Sequence, residues 1–263
     1  MYKMTLCLVS VFKNESAILR EWLVHYINQG VDHFFLTDNG STDNYMEILK
    51  EYIEKGIVTL TINPMKYAQV YLINLFLDKI KQYEWVMGVD LDEIVYARLG
   101  FQTIKHYLSS IDESVHCVRI PWKMFGSDGH ISQPSSVISS FLRRQRYDKP
   151  KEIQVKSIAR TLFLTKIEVH FPYFSDSSLN LIDSTGTNDN YIKDYISLIS
   201  EDILEKSALH LNHYYIQSWE WYKSVKMTRG DVNLSYGENV RNAEWFKTHD
   251  FNECVDDEIA KLI

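Results

Sequence analysis

The sequence has few cysteines, no long apolar run and no excess of basic residues, and each absence narrows the class of protein. Its cysteines, Cys7, Cys117 and Cys254, lie far apart and form no Cys-x-x-Cys pair, so they give no disulfide framework and fit a reducing compartment. No stretch approaches the roughly 20 apolar residues that span a bilayer. The apolar residues 1–11 are too short for a secretory leader with a cleavage site. We therefore expect a cytoplasmic protein without a transmembrane segment, for which peripheral membrane contact stays open.

Three common ligand-binding and nucleophile motifs are also absent. There is no Gly-x-x-x-x-Gly-Lys-Ser/Thr, no Gly-x-Gly-x-x-Gly and no Gly-x-Ser-x-Gly, which argues against a P-loop NTPase, a dinucleotide enzyme and an α/β-hydrolase. With a net charge of −7, the protein has no overall positive potential that would attract nucleic acid or anionic lipid. Any phosphate binding must therefore be local or metal-mediated.

The 263 residues, 45% of them hydrophobic, suffice for one large domain with a sizeable core. Aromatic residues make up 13% of the chain, which suits either a surface for flat or sugar-like ligands or an aromatic-rich core. We predict a single domain over residues 1–263 with two halves, residues 1–93 and residues 94–263, of which the second carries C-terminal helices.

Apolar runs and amphipathic stretches alternate through the first half. Continuous apolar runs predict strands at 5–12, 31–37, 57–62 and 85–89. Helical spacing predicts helices at 18–27, ended by Gly30, at 45–55, ended by Gly56, and at about 68–82. Strand–helix alternation with short connections predicts an α/β fold with a mostly parallel sheet flanked by helices. In the second half a strand is predicted at 115–121, and a partly helical basic stretch around Arg143, Arg144 and Arg146.

The segment 84–93 is the most informative, because a buried strand ends there in Asp90, Asp92 and Glu93. Asp90 and Asp92 flank Leu91, so in extended backbone they project to the same side. The carboxyl ends of such strands line the ligand crevice of open α/β sheets. Paired carboxylates there suit Mg²⁺ or Mn²⁺, which in turn holds a diphosphate. The alternative is a solvated acidic turn.

The ends of the first two predicted strands carry Asn14 and Glu15, and Asp38 and Asn39. Together with Asp90 and Asp92 they would line one crevice, a nucleotide site completed by a metal. Ordered motifs then run along most of the chain. They are residues 11–15, 21–22, 30–34, 38–43, 85 with 90–93, 121–127, 156–158, 169–170, 213–218 and 226–230.

In these motifs the sequence resembles glycosyltransferase family 92 and its family 2-like relatives. The resemblance implies a GT-A fold with a helical or irregular C-terminal acceptor region. The half at residues 1–93 would then bind the nucleotide sugar, and the half at residues 94–263 would bind the acceptor. The resemblance also implies inverting transfer of a sugar from a nucleoside diphosphate, usually UDP, to a glycan or glycoconjugate hydroxyl, with help from Mn²⁺ or Mg²⁺.

The expected roles divide the site into three parts. Donor contacts are expected from Ser10, Val11, Asn14, Glu15, Asp38, Asn39, Gln69, Asp90, Leu91, Lys156, Lys226 and Arg229. Metal ligands are expected at Asp90, Asp92 and His213, with His170 the alternative to His213. Acceptor contacts are expected from Trp122 and Phe125, and the base that deprotonates the acceptor from Asp128, with Asp176 the next choice.

For several of these residues a structural role is the alternative to the functional one. Asp38 could instead cap a turn, Asp128 could be an ordinary turn residue, and Trp122 and Phe125 could belong to the core. Two other functions also stay open. One is a metal-dependent nucleotidyl- or phosphotransferase, against which the missing glycine-rich loop counts; the other is an inert nucleotide-sugar-binding module.

Overall fold

The computed structural model of the protein describes residues 4–66, 68–175, 179–188, 195–229 and 241–262. The strands in these ranges are β1 Leu6–Phe12, β2 His33–Asp38, β3 Val58–Ile62, β4 Trp85–Gly88, β5 Glu93–Ala97, β6 Cys117–Met124, β7 Arg143–Arg144, β8 Lys151–Arg160, β9 Leu164–Ile167, β10 Pro172–Phe174, β11 Leu181–Asp183, β12 Ile196–Ile199, β13 Leu209–His213 and β14 Cys254–Val255. The α-helices are α1 Ser16–Asn28, α2 Tyr45–Glu54, α3 Gln69–Asn74, α4 Leu77–Ile80, α5 Ile104–Ser109, α6 Glu201–Lys206, α7 Trp219–Ser224 and α8 Ala243–Thr248. Short 3-10 turns lie at Lys226–Thr228 and Ile259–Lys261.

A ten-stranded sheet organises the described residues. Its main order is β3-β2-β1-β4-β8-β6-β13-β5, with β11 beside β6 and β12 beside β8. The strands β1 to β4 pair in parallel, as the strand–helix alternation predicts. In the other half, β8 lies antiparallel between β4 and β6, whereas β13 is parallel to β6 and antiparallel to β5. The predicted α/β class, with a mostly parallel sheet flanked by helices, is confirmed.

Both faces of the sheet are covered, which explains why β1 is apolar at consecutive positions. Leu6 and Leu8 pack into the larger core cluster, and the alternate residues Cys7 and Val9 pack into a second cluster on the other face. Burial on both faces is typical of parallel strands. Cys7 and Cys117 are buried, as expected of small apolar side chains in strands.

Helix α1 anchors the turn that follows β4. The Trp22 indole donates a hydrogen bond to the Asp90 carbonyl at 3.1 Å, and the Tyr26 hydroxyl donates to the Glu93 carbonyl at 2.9 Å. The helix ends before Gly30, as predicted. Gly30 has φ +91°, and a Cβ there would lie 2.6 Å from the Lys105 Cβ, so only glycine fits the bend.

Two local predictions are wrong. The helix predicted at about 68–82 is divided into α3 and α4. The basic stretch predicted as partly helical contains β7, because its backbone pairs with β14 near the C-terminus. Such pairing over about 110 residues overrides local helix propensity. Across the described ranges, no helix has the length and apolar character needed to cross a bilayer.

Candidate active site

A cavity of about 830 Å³ opens at the carboxyl ends of β1, β2 and β4. This is the edge of an open α/β sheet where ligands bind, and the volume is within the usual range for a small-molecule site. The cavity brings together many of the residues predicted for the site: Val11, Glu15, Asn39, Gln69, Asp90, Asp92, Trp122, His213, Lys226 and Arg229.

Asp92 is the buried acid of the cavity, with 2% of its surface exposed. Its Oδ2 accepts a hydrogen bond from Lys226 Nζ at 2.5 Å and faces His213 Nε2 at 3.6 Å. Burial by itself raises the pKa of Asp92, but Lys226 and His213 outweigh it and hold that pKa well below its usual range. Asp92 is therefore ionised at neutral pH.

The sheet register places His213 beside Asp92. Strand β13 lies between β5 and β6, so that His213 pairs with Glu93 on one side and Met124 on the other. Burial lowers the pKa of His213, although Asp92 opposes this shift. The imidazole is thus neutral at pH 7, which is the form that binds metals.

Asp90 is held by protein donors on both carboxylate oxygens. Gln69 Nε2 donates to Oδ1 and Lys156 Nζ donates to Oδ2, each at 2.9 Å. Lys156 also lies 3.2 Å from Glu93, a fully buried acid whose pKa burial raises to about 8 against the opposing charge of Lys156. The structure thus ties Asp90 to Gln69 and Lys156 rather than turning it toward Asp92 and His213.

Asp92 and His213 fit one divalent cation. Within the described ranges, no group of three or more His, Cys, Asp and Glu side chains is arranged to hold a metal ion. Mg²⁺ in phosphate-binding sites, however, commonly uses one or two protein ligands together with substrate phosphates and waters. A carboxylate oxygen and an imidazole nitrogen 3.6 Å apart suit such a site, with the remaining ligands coming from a bound diphosphate.

A second acid–base pair supplies positive charge near the same end of the cavity. Arg229 donates through Nη2 to the Glu15 carboxylate and through Nη1 to the Lys13 carbonyl at 3.1 Å. Lys226 and Arg229 both line the cavity, so two cationic side chains lie beside Asp92. Oriented cations of this kind stabilise phosphate groups.

The family model for glycosyltransferase family 92 matches residues 2–250. The chain belongs to glycosyltransferase family 92. Among curated relatives, a family 92 protein of Ricinus communis is 23% identical over 243 residues, 90% of this chain and 40% of its own length. A family 92 protein of Oryza sativa subsp. japonica is 23% identical over 224 residues, 83% of this chain and 34% of its own length. The chain thus spans well under half the length of these relatives.

Solved structures with partial similarity include S. aureus TarS 1-349, at 18% identity and a TM-score of 0.44, covering 77% of this chain and 63% of that one. GalNAc-T7, solved with UDP, GalNAc and Mn²⁺, is 16% identical with a TM-score of 0.37, covering 60% of this chain and 35% of that one.

Asp38 of this family 92 protein lies at the turn after β2, with both carboxylate oxygens hydrogen-bonded within the protein. Its Oδ1 accepts from the Ser41 amide at 2.8 Å and its Oδ2 from the Tyr45 hydroxyl at 3.1 Å. The carboxylate is 2% exposed, and the neighbouring Asn39 lines the cavity in its place. Asn14 is similarly engaged, because its Oδ1 accepts from the Thr42 amide at 2.7 Å. Asn14 thereby joins the loop after β1 to the loop after β2, whereas Asp38 fixes the loop after β2 to α2.

Other predicted contacts lie behind the cavity wall. Ser10 and Leu91 are buried, and Phe125 is a fully buried core residue whose ring centroid lies 4.9 Å from that of Tyr214. Phe125 therefore has no free face for a sugar ring, which corrects the predicted acceptor contact. Lys156 reaches the site through its ion pair with Asp90.

Asp128, the residue predicted to be the base, lies in a turn away from the cavity. Its carboxylate accepts from the Leu142 amide at 3.1 Å and lies 3.3 Å from Arg143 Nε. The residue has φ 48° and lies in a turn outside the set of described residues that line the cavity. The carboxylate stabilises this turn and does not line the cavity. Asp176, the alternative base, lies outside the described residues.

The sequence interpretation missed an aromatic surface in the cavity, formed by Tyr215, Trp245, His249 and Phe251. We call this the aromatic shelf. The Trp245 indole donates to the Tyr215 hydroxyl at 2.8 Å, and the Trp245 and His249 rings stack 4.2 Å apart at 15°. The i, i+4 spacing of Trp245 and His249 places them on one face of α8, a signal that was available in the sequence.

Proposed function

We propose that this family 92 protein is a glycosyltransferase that moves a sugar from a nucleoside diphosphate, with UDP the expected nucleotide, to a hydroxyl of a glycan or glycoconjugate. The observation that carries the proposal is the Asp92–His213 pair beside Lys226 and Arg229 at the carboxyl ends of parallel strands. Family membership supports the same reaction class. Because the chain covers only part of its curated relatives, the proposal concerns this catalytic portion.

Donor binding is proposed at the charged end of the cavity. Asp92 and His213 would hold a Mn²⁺ or Mg²⁺ ion, which when bound neutralises charge on the departing diphosphate. Lys226 and Arg229 donate to the phosphate oxygens, and Gln69 holds Asp90 in place. Pre-oriented charge of this kind stabilises the leaving group without reorganisation during transfer.

Inverting transfer also requires a group that accepts the proton of the acceptor hydroxyl. With Asp128 outside the cavity, the structure offers Glu152, an exposed carboxylate, and His170, both of which line it. His170 Nδ1 lies 3.0 Å from the Val155 carbonyl, which only accepts, so Nδ1 carries the hydrogen and Nε2 is free to accept one. Burial, reinforced by Lys156, lowers the pKa of His170 to about 4, so this imidazole is neutral at pH 7.

The aromatic shelf and Trp122 are proposed to bind the acceptor. Trp122 lies beside two histidines of the cavity, with its ring centroid 4.2 Å from that of His213 and 5.2 Å from that of His170. Aromatic rings offer large, rigid apolar faces that cover the apolar face of a sugar while polar groups at their edges hydrogen-bond its hydroxyls. The cavity therefore combines a charged donor end with an aromatic acceptor end.

The donor proposal is tested by thermal unfolding with nucleotides, followed by a turnover screen of nucleotide sugars. At about 100 times its dissociation constant, UDP with Mn²⁺ should stabilise the fold by about 2.7 kcal/mol, or roughly 5–10 °C in Tm. One UDP-sugar should then be consumed. UDP binding without turnover of any nucleotide sugar would favour the inert binding module, and turnover of a nucleoside triphosphate would favour a nucleotidyltransferase.

We expect Trp245→Ala to weaken acceptor binding and leave donor binding unchanged, because Trp245 lies on the aromatic shelf. Loss of about 1–2 kcal/mol of stacking should raise the acceptor KM roughly 5–30-fold. The matched control is Trp219→Ala, which removes an indole that stacks on Tyr222 instead of lining the cavity. An unchanged acceptor KM in Trp245→Ala, measured with the acceptor from the screen, would exclude the shelf from acceptor binding.

A further inference from the structure

A buried ammonium group occupies the carboxylate oxygen that would bind the metal. Lys226 Nζ lies 2.5 Å from Asp92 Oδ2, the oxygen that also faces His213 Nε2 at 3.6 Å. Lys226 is 5% exposed and Asp92 2% exposed, so water screens this pair poorly. A divalent cation between Asp92 and His213 would lie within a few ångströms of the ammonium group. The two like charges would repel strongly at that distance.

The ammonium group of Lys226 has favourable contacts besides the Asp92 carboxylate. Its Nζ lies 5.1 Å from the ring centroid of Tyr215 and 5.4 Å from that of Trp221, both within cation–π range. The residue begins a 3-10 turn of three residues, and a lysine side chain is a flexible stem with three donors. Lys226 can therefore leave the carboxylate without losing all favourable contacts.

A nucleoside diphosphate supplies the charge that the free protein lacks. With the diphosphate absent, Asp92 is already neutralised by Lys226, and a divalent ion adds excess positive charge. With the diphosphate present, its phosphate oxygens can accept the Lys226 donors and leave Asp92 to the metal. The affinities for metal and for diphosphate are then linked, and the linkage acts equally in both directions.

We propose that Lys226 is the resident counter-ion of Asp92, which keeps a divalent cation off the free protein and moves to the donor diphosphate when the two bind together. This inference rests on the proposed donor function. Lys226 is a positioning residue for the metal and a direct contact of the diphosphate.

The test is a calorimetric titration of Mn²⁺ alone into the wild type, Lys226→Met and Lys223→Met. Lys223 is the matched control, because it is an exposed lysine on α7 whose Nζ lies over Trp219. We expect Lys226→Met to bind Mn²⁺ at least about tenfold more tightly than the wild type, and Lys223→Met to bind it as the wild type does. Saturating UDP should raise Mn²⁺ affinity strongly in the wild type and much less in Lys226→Met.

If Lys226→Met folds poorly, the shift in Tm caused by Mn²⁺ still tests the proposal. Mn²⁺ should raise the Tm of Lys226→Met, or of the more polar Lys226→Gln, by more than it raises the Tm of the wild type. Equal Mn²⁺ affinity and equal Tm shifts in these variants and in Lys223→Met would overturn the counter-ion role. Failure of the wild type to bind UDP with or without Mn²⁺ would instead overturn the donor function, which the Mn²⁺-only comparison does not depend on.

Discussion

Asp92→Asn should reduce sugar transfer by about 10³-fold or more, because it removes the ionised oxygen that faces both His213 and Lys226. It should also lower the stability of the fold. Asp92 is the buried partner of a buried lysine, so its loss leaves the Lys226 charge uncompensated.

The measurement is turnover of the UDP-sugar found in the screen, at a temperature well below the Tm of the variant. Asp78→Asn is the matched control, since Asp78 is an exposed carboxylate on α4. Transfer at the wild-type rate by folded Asp92→Asn would remove Asp92 from the catalytic site.

The second large effect, on the stability of the fold, is expected outside the charged part of the cavity, at Asp256. Its Oδ2 accepts from Lys123 Nζ at 2.9 Å and from Arg144 Nε at 2.6 Å, and Lys123 is fully buried. Asp256→Asn leaves these two cations without their shared counter-charge. We expect a loss of about 3–5 kcal/mol in the free energy of unfolding, or about 6–20 °C in Tm.

The neighbouring Asp257→Asn is the control for this variant. Asp257 pairs with Lys261 on the surface, and such a pair contributes about 0.2–1 kcal/mol. Similar Tm values for the two variants, measured by differential scanning calorimetry, would show that the buried pair adds nothing beyond a surface pair.

The ion pairs around Asp256 and Glu258 should determine how far the pH can fall before the fold loses stability. Burial opposes ionisation of Asp256 and Glu258, but Lys123 and Arg144 for the first, and His210 and Arg98 for the second, outweigh it. The pKa of Glu258 is lowered to about 2 and that of Asp256 is held well below its usual range. In the unfolded chain a carboxyl group has a pKa of about 4. A carboxyl group whose pKa is lower in the folded protein stabilises the fold above about pH 4, and this stabilisation is lost as the pH falls toward 2.

As the pH falls, protonation of His210 should destabilise the fold before the carboxyl groups do. Burial, reinforced by Lys123, lowers the pKa of His210 to about 4. An unfolded histidine binds its proton near pH 6.5, so the stability due to neutral His210 is present above that pH and is lost as pH falls toward 4. Urea unfolding between pH 7 and pH 3 should therefore show two successive losses, of which Asp256→Asn reduces the lower one.

The parts of the fold that could be predicted depend on local periodicity. The consecutive apolar residues of β1 and the helical spacing of Trp22 and Tyr26 predict elements whose burial the structure shows. The apolar run of β4 followed by Asp90 and Asp92 likewise places carboxylates at the edge of the sheet, because a strand's end is encoded where the run ends.

The parts that could not be predicted depend on contacts between distant residues. Asp128 is held by Arg143 through the β7 region. Asp90 is engaged by Lys156, which is 66 residues away. A sequence pattern shows that a side chain is polar, but not which partner reaches it first.

Gly126 lets a separate segment of the chain, close to the C-terminus, complete the aromatic shelf. A Cβ at this position would lie 2.4 Å from the Phe251 carbonyl, so the C-terminal segment rests directly on the backbone after β6. That segment carries Trp245, His249 and Phe251, whereas Asp92 and His213 belong to the sheet. Exchanging residues 243–251 is thus a route to an enzyme that glycosylates a new acceptor with its original donor, provided that position 126 stays glycine.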